Sequence, residues 1–485
     1  MSLISFEFAL FLLLALWLNW ALRSRRSVYR GFLLTANALF YASQSTGLLL
    51  LPLGVGMSNY LFALLVSRAK GNTLRKVWLG ADIILNLGFL VFFKYFEFLY
   101  QSLDSVLDHL GLHLHLPFIE LYLPIGISFF TFQGLSYCID VYRDPKELVQ
   151  NPVDVLLFVS FFPTILSGPI MRARQFVPQL DKPDYDSRSF HDSFVLILIG
   201  LFKKLVISSY LSEHIVRDVF QVPAAYSSLT VLLGVYAYSI QIYCDFSGYS
   251  DIAIGVAQLL GFRLPQNFRV PYGVCNVQEF WHHWHISFST WLRDYLYIPL
   301  GGSRKGRLRK YANLMATMAI GGLWHGAQGR FLLWGTLHGM ALVLTHAVKD
   351  IRQTRFAAER DKKSGAGMAV STWAPAFKAG AWFLTFNLVS FLWIFFRAED
   401  SARAMEVFQA IFAFKAKGIG FESWILPVLA AGLMIQFVGP YALHLFSKIQ
   451  QRMPVPLQAA PLALLCILII KLGPSGIPPF IYFQF

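Results

Sequence analysis

Long apolar stretches alternate with short basic loops along all 485 residues of the chain. A helix that crosses a hydrocarbon core of about 30 Å needs roughly 20 residues. Apolar runs of that order recur near residues 3–22, 31–46, 48–67, 77–99, 119–140, 153–171, 192–211, 227–245, 311–327, 331–348, 377–397, 424–446 and 459–473. Some are too short or too interrupted to cross alone, so the pattern predicts about eleven true crossings. The interruption is plainest from Phe161 to Pro169, where Pro163, Gly168 and Pro169 break the helical hydrogen-bond ladder. Non-helical backbone at membrane depth persists only where protein or a water-filled cavity covers it, so this segment should turn back or line a cavity.

Composition agrees with lipid as the solvent. Hydrophobic residues make up 56% of the chain and charged residues 14%, where soluble domains carry about a quarter charged. No soluble segment of domain size remains, and residues 1–485 read as a single membrane domain. The net charge of +14 comes from 41 Lys and Arg against 27 Asp and Glu. These cations sit in short loops, as the positive-inside rule requires, and no basic domain or aromatic platform stands outside the spans to bind nucleic acid. Arg23, Arg25, Arg26 and Arg30 follow the first run, and Arg68, Lys70, Arg75 and Lys76 follow the third. Both loops should be cytoplasmic and the N-terminus outside. The same rule places Arg304 to Lys310 inside, together with a polar loop over residues 349–372. Glu7 stands in place of a basic leader region before Leu22, and no small-residue cleavage site follows, so the first run reads as an uncleaved span. The four cysteines, Cys138, Cys244, Cys275 and Cys466, are scattered without a C-x-x-C pair and read as small hydrophobes.

Between Tyr243 and Gly339 the apolar background is crowded with residues that are costly in lipid. Asp245, Asp251, Glu279, His282, His283, His285, Arg293, Asp294 and His325 all fall there. A central Asp or Arg costs about 2.5–3.5 kcal/mol on insertion scales, so several together imply mutual partners around a polar central cavity. The expected fold is an all-α polytopic membrane protein whose broken or re-entrant segments surround that cavity. His325 is flanked by Gly321, Gly322 and Gly326, which let a backbone or ligand come close. An imidazole kept out of water stays neutral, the form a general base needs to take a proton from a hydroxyl or thiol. The alternative is a histidine that bridges two helices. His282 and His285 stand at i,i+3, with Glu279 one turn earlier, as expected of one helical face. His285 is the best of these to face the same cavity as His325. A metal site is the other reading, but the spacing is not H-E-x-x-H. Asp245 and Asp251 are too far apart in helical phase for a carboxylate dyad and are expected to pair with Arg293, Arg172 or Arg174. Arg304 and Lys305, in a loop with Gly301, Gly302 and Gly306, would suit a phosphate-bearing ligand or serve topology alone.

Three stretches carry a family resemblance: Phe280 to Ser287 (FWHHWHIS), Trp291 to Gly302 (WLRDYLYIPLGG) and Gly322 to Ala327 (GLWHGA). With Leu123 to Phe129 and Asp245 to Asp251, the chain resembles the membrane-bound O-acyltransferase (MBOAT) family, in its alginate O-acetylation (AlgI-like) branch. The resemblance implies a multi-pass enzyme of the bacterial inner membrane with a periplasmic N-terminus. It implies acetyl-CoA as cytoplasmic donor and an exported polysaccharide as acceptor, reached through an extracytoplasmic SGNH-type partner. By the same match His325 is the essential histidine and His285 the second one, and no metal is implied. The branch usually has two arginines where this chain has His282 and His283. A D-alanyl or longer-chain acyltransferase is the alternative of the same class. A transporter or flippase for a polar lipid-linked sugar is the alternative from another class.

Overall fold

The computed structural model describes residues 1–44, 46–111, 121, 123–181, 187–360, 374–450 and 454–473. Among these residues the architecture is helical throughout, with one isolated bridge between Tyr226 and Ile419. The principal helices are α1 (Phe6–Leu22), α2 (Arg26–Ala42), α3 (Leu50–Arg68), α4 (Asn72–His109), α5 (Ile127–Arg143), α6 (Pro152–Ser160), α7 (Phe190–Gln221) and α8 (Ser228–Leu259). They continue as α9 (Val277–His283), α10 (Ile286–Leu292), α11 (Gly306–His325), α12 (Gly329–Arg360), α13 (Ala374–Arg397), α14 (Ser401–Phe412), α15 (Ile425–Gln450) and α16 (Val455–Leu472). Six stretches, α3, α4, α7, α8, residues 329–351 of α12 and residues 375–397 of α13, are long and apolar enough to cross a membrane. Shorter apolar helices at Phe6–Leu22, Ile425–Gly439 and Ala460–Leu472 accompany them. The protein is an all-α, multi-pass membrane protein. Residues 349–360 continue α12 as helix, and the remainder of the expected loop, 361–372, lies outside the described residues.

Helix α8 is the axis of the fold: 78% of its most apolar window is buried, against 17% for α4 at the periphery. A helix that is apolar all round belongs in the middle of a bundle. The carboxylates of α8 do not interrupt it, because α7 supplies their counter-ions. Lys203 meets Asp251 at 2.7 Å, and Lys204 pairs with Asp245, which also accepts from the Ser208 hydroxyl at 3.3 Å. The expected arginine partners are therefore replaced by two lysines. Arg293 and Arg172 instead meet Asp294, at 2.8 and 3.9 Å. Both lysines sit in a π-helical turn, Phe202–Ser208. Such turns are rare and widen the helix locally.

The broken segment behaves as its prolines require. After α6 ends at Ser160, residues 161–172 run as buried irregular backbone and turns. Their freed backbone groups find partners on other elements. The Phe162 amide donates to Asn37 Oδ1 at 3.0 Å and the Ile170 amide to Ser287 Oγ at 3.0 Å. Asn37 in turn donates to Ser160 Oγ at 3.2 Å. Buried irregular backbone is tolerated because side chains take the place of water. Gly126 faces the segment with φ +80°, and a Cβ there would lie 2.2 Å from the Ile165 carbonyl. Only glycine allows that approach.

Candidate active site

His325 is the last residue of α11 and is 4% exposed. Its position depends on a glycine contact one turn earlier. A Cβ on Gly322 would lie 2.3 Å from the Phe331 carbonyl and 3.0 Å from Gly335 Cα, so α11 and α12 touch backbone to backbone. The expectation that glycines beside His325 admit a close backbone is met. The contact seats the imidazole among rings of α12 and α13, with Trp334 at 5.1 Å and Phe396 at 4.9 Å between centroids. On its other side His325 lines a cavity of about 160 Å³. Loop residues 123–126, Phe129, Leu166 and Ser167 from the broken segment, Trp324 and Lys94 form the remaining walls. The break in the chain thus does line the cavity that holds His325.

His285 packs close to His325 but is not among the residues that line its cavity, and it arrives by a different route from the one its spacing suggests. Helix α9 stops at His283, Trp284 is extended, and His285 takes φ +41° as the cap of α10. His282 and His285 are therefore not on one helical face. A non-glycine residue in the left-handed region is uncommon and needs support. Asn267 provides it: its carbonyl accepts from the Ile286 amide at 2.9 Å and its side chain accepts from Ser287 Oγ at 2.6 Å. The turn buries His285 to 1% exposure, with Phe246 at 4.6 Å, Phe288 at 5.1 Å and Trp324 at 6.1 Å. Phe288 and Trp324 stack at 4.2 Å, and Phe288 reaches the His325 ring at 6.3 Å. The two histidines thus share one aromatic cluster.

A second cavity, of about 580 Å³, opens between α9, α10, α11 and α12. Its walls combine apolar residues such as Trp281, Leu314 and Met318 with the cationic or titratable His282, Arg293, Lys310 and His346. Ser303 of the glycine loop also lines it, whereas Arg304 and Lys305 are exposed and lie outside its lining. Burial, and then repulsion from His283, Arg293 and Lys349, hold the His282 imidazole below its usual pKa, while Glu279 opposes them. Aromatic rings connect the wall of the larger cavity to His325. Trp281, from that wall, meets Trp334 at 5.8 Å, and Trp334 meets His325. Among the described residues, no group of three His, Cys, Asp or Glu could hold a metal ion.

Two polar residues near this centre escape sequence reading. Lys94 lies within the apolar run of α4, and its Nζ donates to the Trp324 carbonyl at 2.5 Å. His338 is 0% exposed on α12, between Trp334 at 4.8 Å, Trp281 at 5.2 Å and Phe280 at 6.1 Å. Among the described residues neither ring nitrogen of His338 has a hydrogen-bond partner. The only signal for either was an ionisable residue inside an apolar run.

Comparison with known proteins places this geometry. The profile of the membrane-bound O-acyltransferase family matches residues 8–385. The chain is 34% identical over 507 residues to the Pseudomonas putida protein named "Probable alginate O-acetylase AlgI", covering 98% of both chains. The protein of the same name from Pseudomonas syringae pv. tomato is 37% identical over 408 residues, which cover 84% of this chain and 74% of that one. A "Peptidoglycan O-acetyltransferase" of Helicobacter pylori is 33% identical over 411 residues, covering 78% and 73%.

Proposed function

Since the chain belongs to the membrane-bound O-acyltransferase family, we propose that it takes acetyl from cytoplasmic acetyl-CoA and relays it across the inner membrane for O-acetylation of an exported polysaccharide. The observation that carries this reading is the pair of cavities linked by the rings of Trp281 and Trp334, with His325 lining one and Arg293, Lys310, His282 and His346 lining the other. The larger cavity includes Lys310, next to the basic loop that the positive-inside rule assigns to the cytoplasm. Its cations, Arg293 and Lys310, are each held by a carboxylate, Asp294 at 2.8 Å and Asp350 at 2.6 Å, and would share their remaining donors with the phosphates of a CoA donor, while the apolar wall suits a pantetheine arm. Arg304 and Lys305 would act at the rim, as charge that draws the anionic donor in. His325 ends a helix that starts at that loop and runs 20 residues, roughly 30 Å at 1.5 Å per residue, towards the opposite face.

In this reading the whole chain is one membrane domain with a periplasmic N-terminus and a cytoplasmic loop over 349–372. His325 is the general base that deprotonates the acceptor hydroxyl. His285 packs in the same cluster and orients the acyl end of the donor. Alginate or a related exopolysaccharide is the final acceptor, as the names of the relatives suggest. An extracytoplasmic SGNH-type protein receives the acetyl group and completes the transfer. No metal takes part.

The test is turnover by the purified, reconstituted protein with radiolabelled acetyl-CoA and, in parallel, a D-alanyl carrier thioester. Release of CoA with transfer of label to a glycan or SGNH acceptor is expected for the acetyl donor alone. Turnover confined to the D-alanyl donor would overturn the choice of acetyl.

A further inference from the structure

Lys94 is a cation inside a candidate membrane span, and among the described residues no carboxylate pairs with it. Its described contacts are the hydrogen bond to the Trp324 carbonyl and a position over the Trp324 ring, 5.6 Å from the centroid. An ammonium has three donors, and the carbonyl takes one. A charge at membrane depth without a counter-ion is costly and marks a place where negative charge arrives. Lys94 lines the same 160 Å³ cavity as His325, and the carbonyl that anchors it belongs to the residue immediately before that histidine. Anchoring therefore fixes the ammonium relative to the base.

We propose that Lys94 is a catalytic residue, the electrophilic group that holds the oxyanion formed during acyl transfer. The inference rests on the acyl-transfer reading above. In that reaction the acceptor hydroxyl gives its proton to the His325 imidazole while its oxygen bonds to the thioester carbon. The carbonyl π pair moves onto the carbonyl oxygen, and the resulting negative charge faces the Lys94 ammonium. Collapse re-forms the carbonyl and breaks the carbon–sulfur bond. The departing thiolate takes the proton from the imidazolium, which restores neutral His325. A fixed positive group aimed where charge develops, in a site shielded from water, lowers the barrier without lowering the ground state to the same extent.

The competing role for Lys94 is purely structural, as a cap on the C-terminal carbonyls of α11. Tyr95 provides the internal control, because its hydroxyl donates to the neighbouring Leu323 carbonyl at 2.5 Å. The experiment measures kcat and both KM values for reconstituted full-length protein with acetyl-CoA and an acceptor. The variants are Lys94→Met, Lys94→Gln, Lys94→Arg and Tyr95→Phe. Lys94→Met is expected to lose about a hundredfold in kcat or more, with both KM values nearly unchanged. Lys94→Gln keeps a donor for the Trp324 carbonyl without the charge and is expected to lose kcat similarly, which keeps the test valid if the Met variant does not fold. Lys94→Arg should retain most activity and Tyr95→Phe nearly all. Wild-type kcat in Lys94→Gln overturns the proposal, as does a rise in acceptor KM alone, which would make Lys94 a binding site for an anionic acceptor. Equal losses in Tyr95→Phe and Lys94→Met also overturn it in favour of the cap. Wild-type protein that turns over no thioester would instead overturn the acyl-transfer reading itself.

Discussion

A methyl group added at Gly322 tests whether helix contact positions His325, the proposed general base. In Gly322→Ala the new Cβ would lie 2.3 Å from the Phe331 carbonyl oxygen, where ordinary contact begins at 3.4 Å. Both groups are backbone, so no rotamer change relieves the clash, and α11 and α12 must part by about 1 Å at this level. His325 follows one turn later on the same helix, and its ring packs on Trp334 of α12. Overpacking of this kind costs about 1–3 kcal/mol of stability. A shift of about 1 Å in a reacting group costs on the order of a hundredfold in rate. Gly335→Ala meets the same interface from the other side, with its Cβ 2.3 Å from the Met318 carbonyl. It should give a similar loss, and the double variant should lose less than both losses combined, because the helices are already apart. Gly329→Ala, with nothing within 4 Å of its Cβ, is the control. The assay is acetyl turnover together with thermal unfolding in detergent. Gly322→Ala indistinguishable from Gly329→Ala in both measurements would refute the reasoning.

Three further outcomes follow from the polar groups. Lys204→Met leaves Asp245 buried without its ion-pair partner and should cost about 3–5 kcal/mol, whereas Lys204→Met with Asp245→Leu should recover most of that loss. Thermal unfolding decides it, and a double variant no better than the single one would contradict the pairing. His282 is held below its usual pKa by burial and then by His283, Arg293 and Lys349, against Glu279, so it gains its charge at a lower pH than an exposed histidine. Arg293, Tyr297, Lys310 and His346 are the other titratable groups on that cavity. Acetyl-CoA should therefore bind more tightly as pH drops and His282 takes up its proton, and His282→Arg should bind tightly with a flatter profile; calorimetry giving the same pH slope in both would refute the role. His338→Phe removes a buried imidazole without described partners and should raise the unfolding temperature or leave it unchanged. A marked fall would mean that His338 is hydrogen-bonded.

His325 was legible because its signals are local: an ionisable residue between apolar neighbours, with glycines at contact distance in sequence. The broken segment was legible for the same reason, since Pro163 and Pro169 act on their own backbone. The partners that make it tolerable were not, because Asn37 and Ser287 lie more than a hundred residues from the amides they accept. Lys203 and Lys204 were hidden for another reason: any cation could neutralise Asp245 and Asp251, and nothing in the pattern singles out two lysines embedded in an apolar helix over Arg172, Arg174 or Arg293. The reading of His282 and His285 as one face failed for a different cause. Spacing at i,i+3 has meaning only within one helix, and the chain leaves α9 at Trp284 before His285 turns into α10. A left-handed histidine held by Asn267 leaves no mark in the local pattern.

If His325 is the base that we propose, transfer of an acyl group from one side of the membrane to the other should depend on it. Proteoliposomes that enclose an SGNH-type or glycan acceptor and receive labelled acetyl-CoA from outside test it directly. Wild-type protein should place label on the enclosed acceptor, and His325→Ala should place none above background while still binding acetyl-CoA. Transfer by His325→Ala at the wild-type rate would show that His325 is not the base.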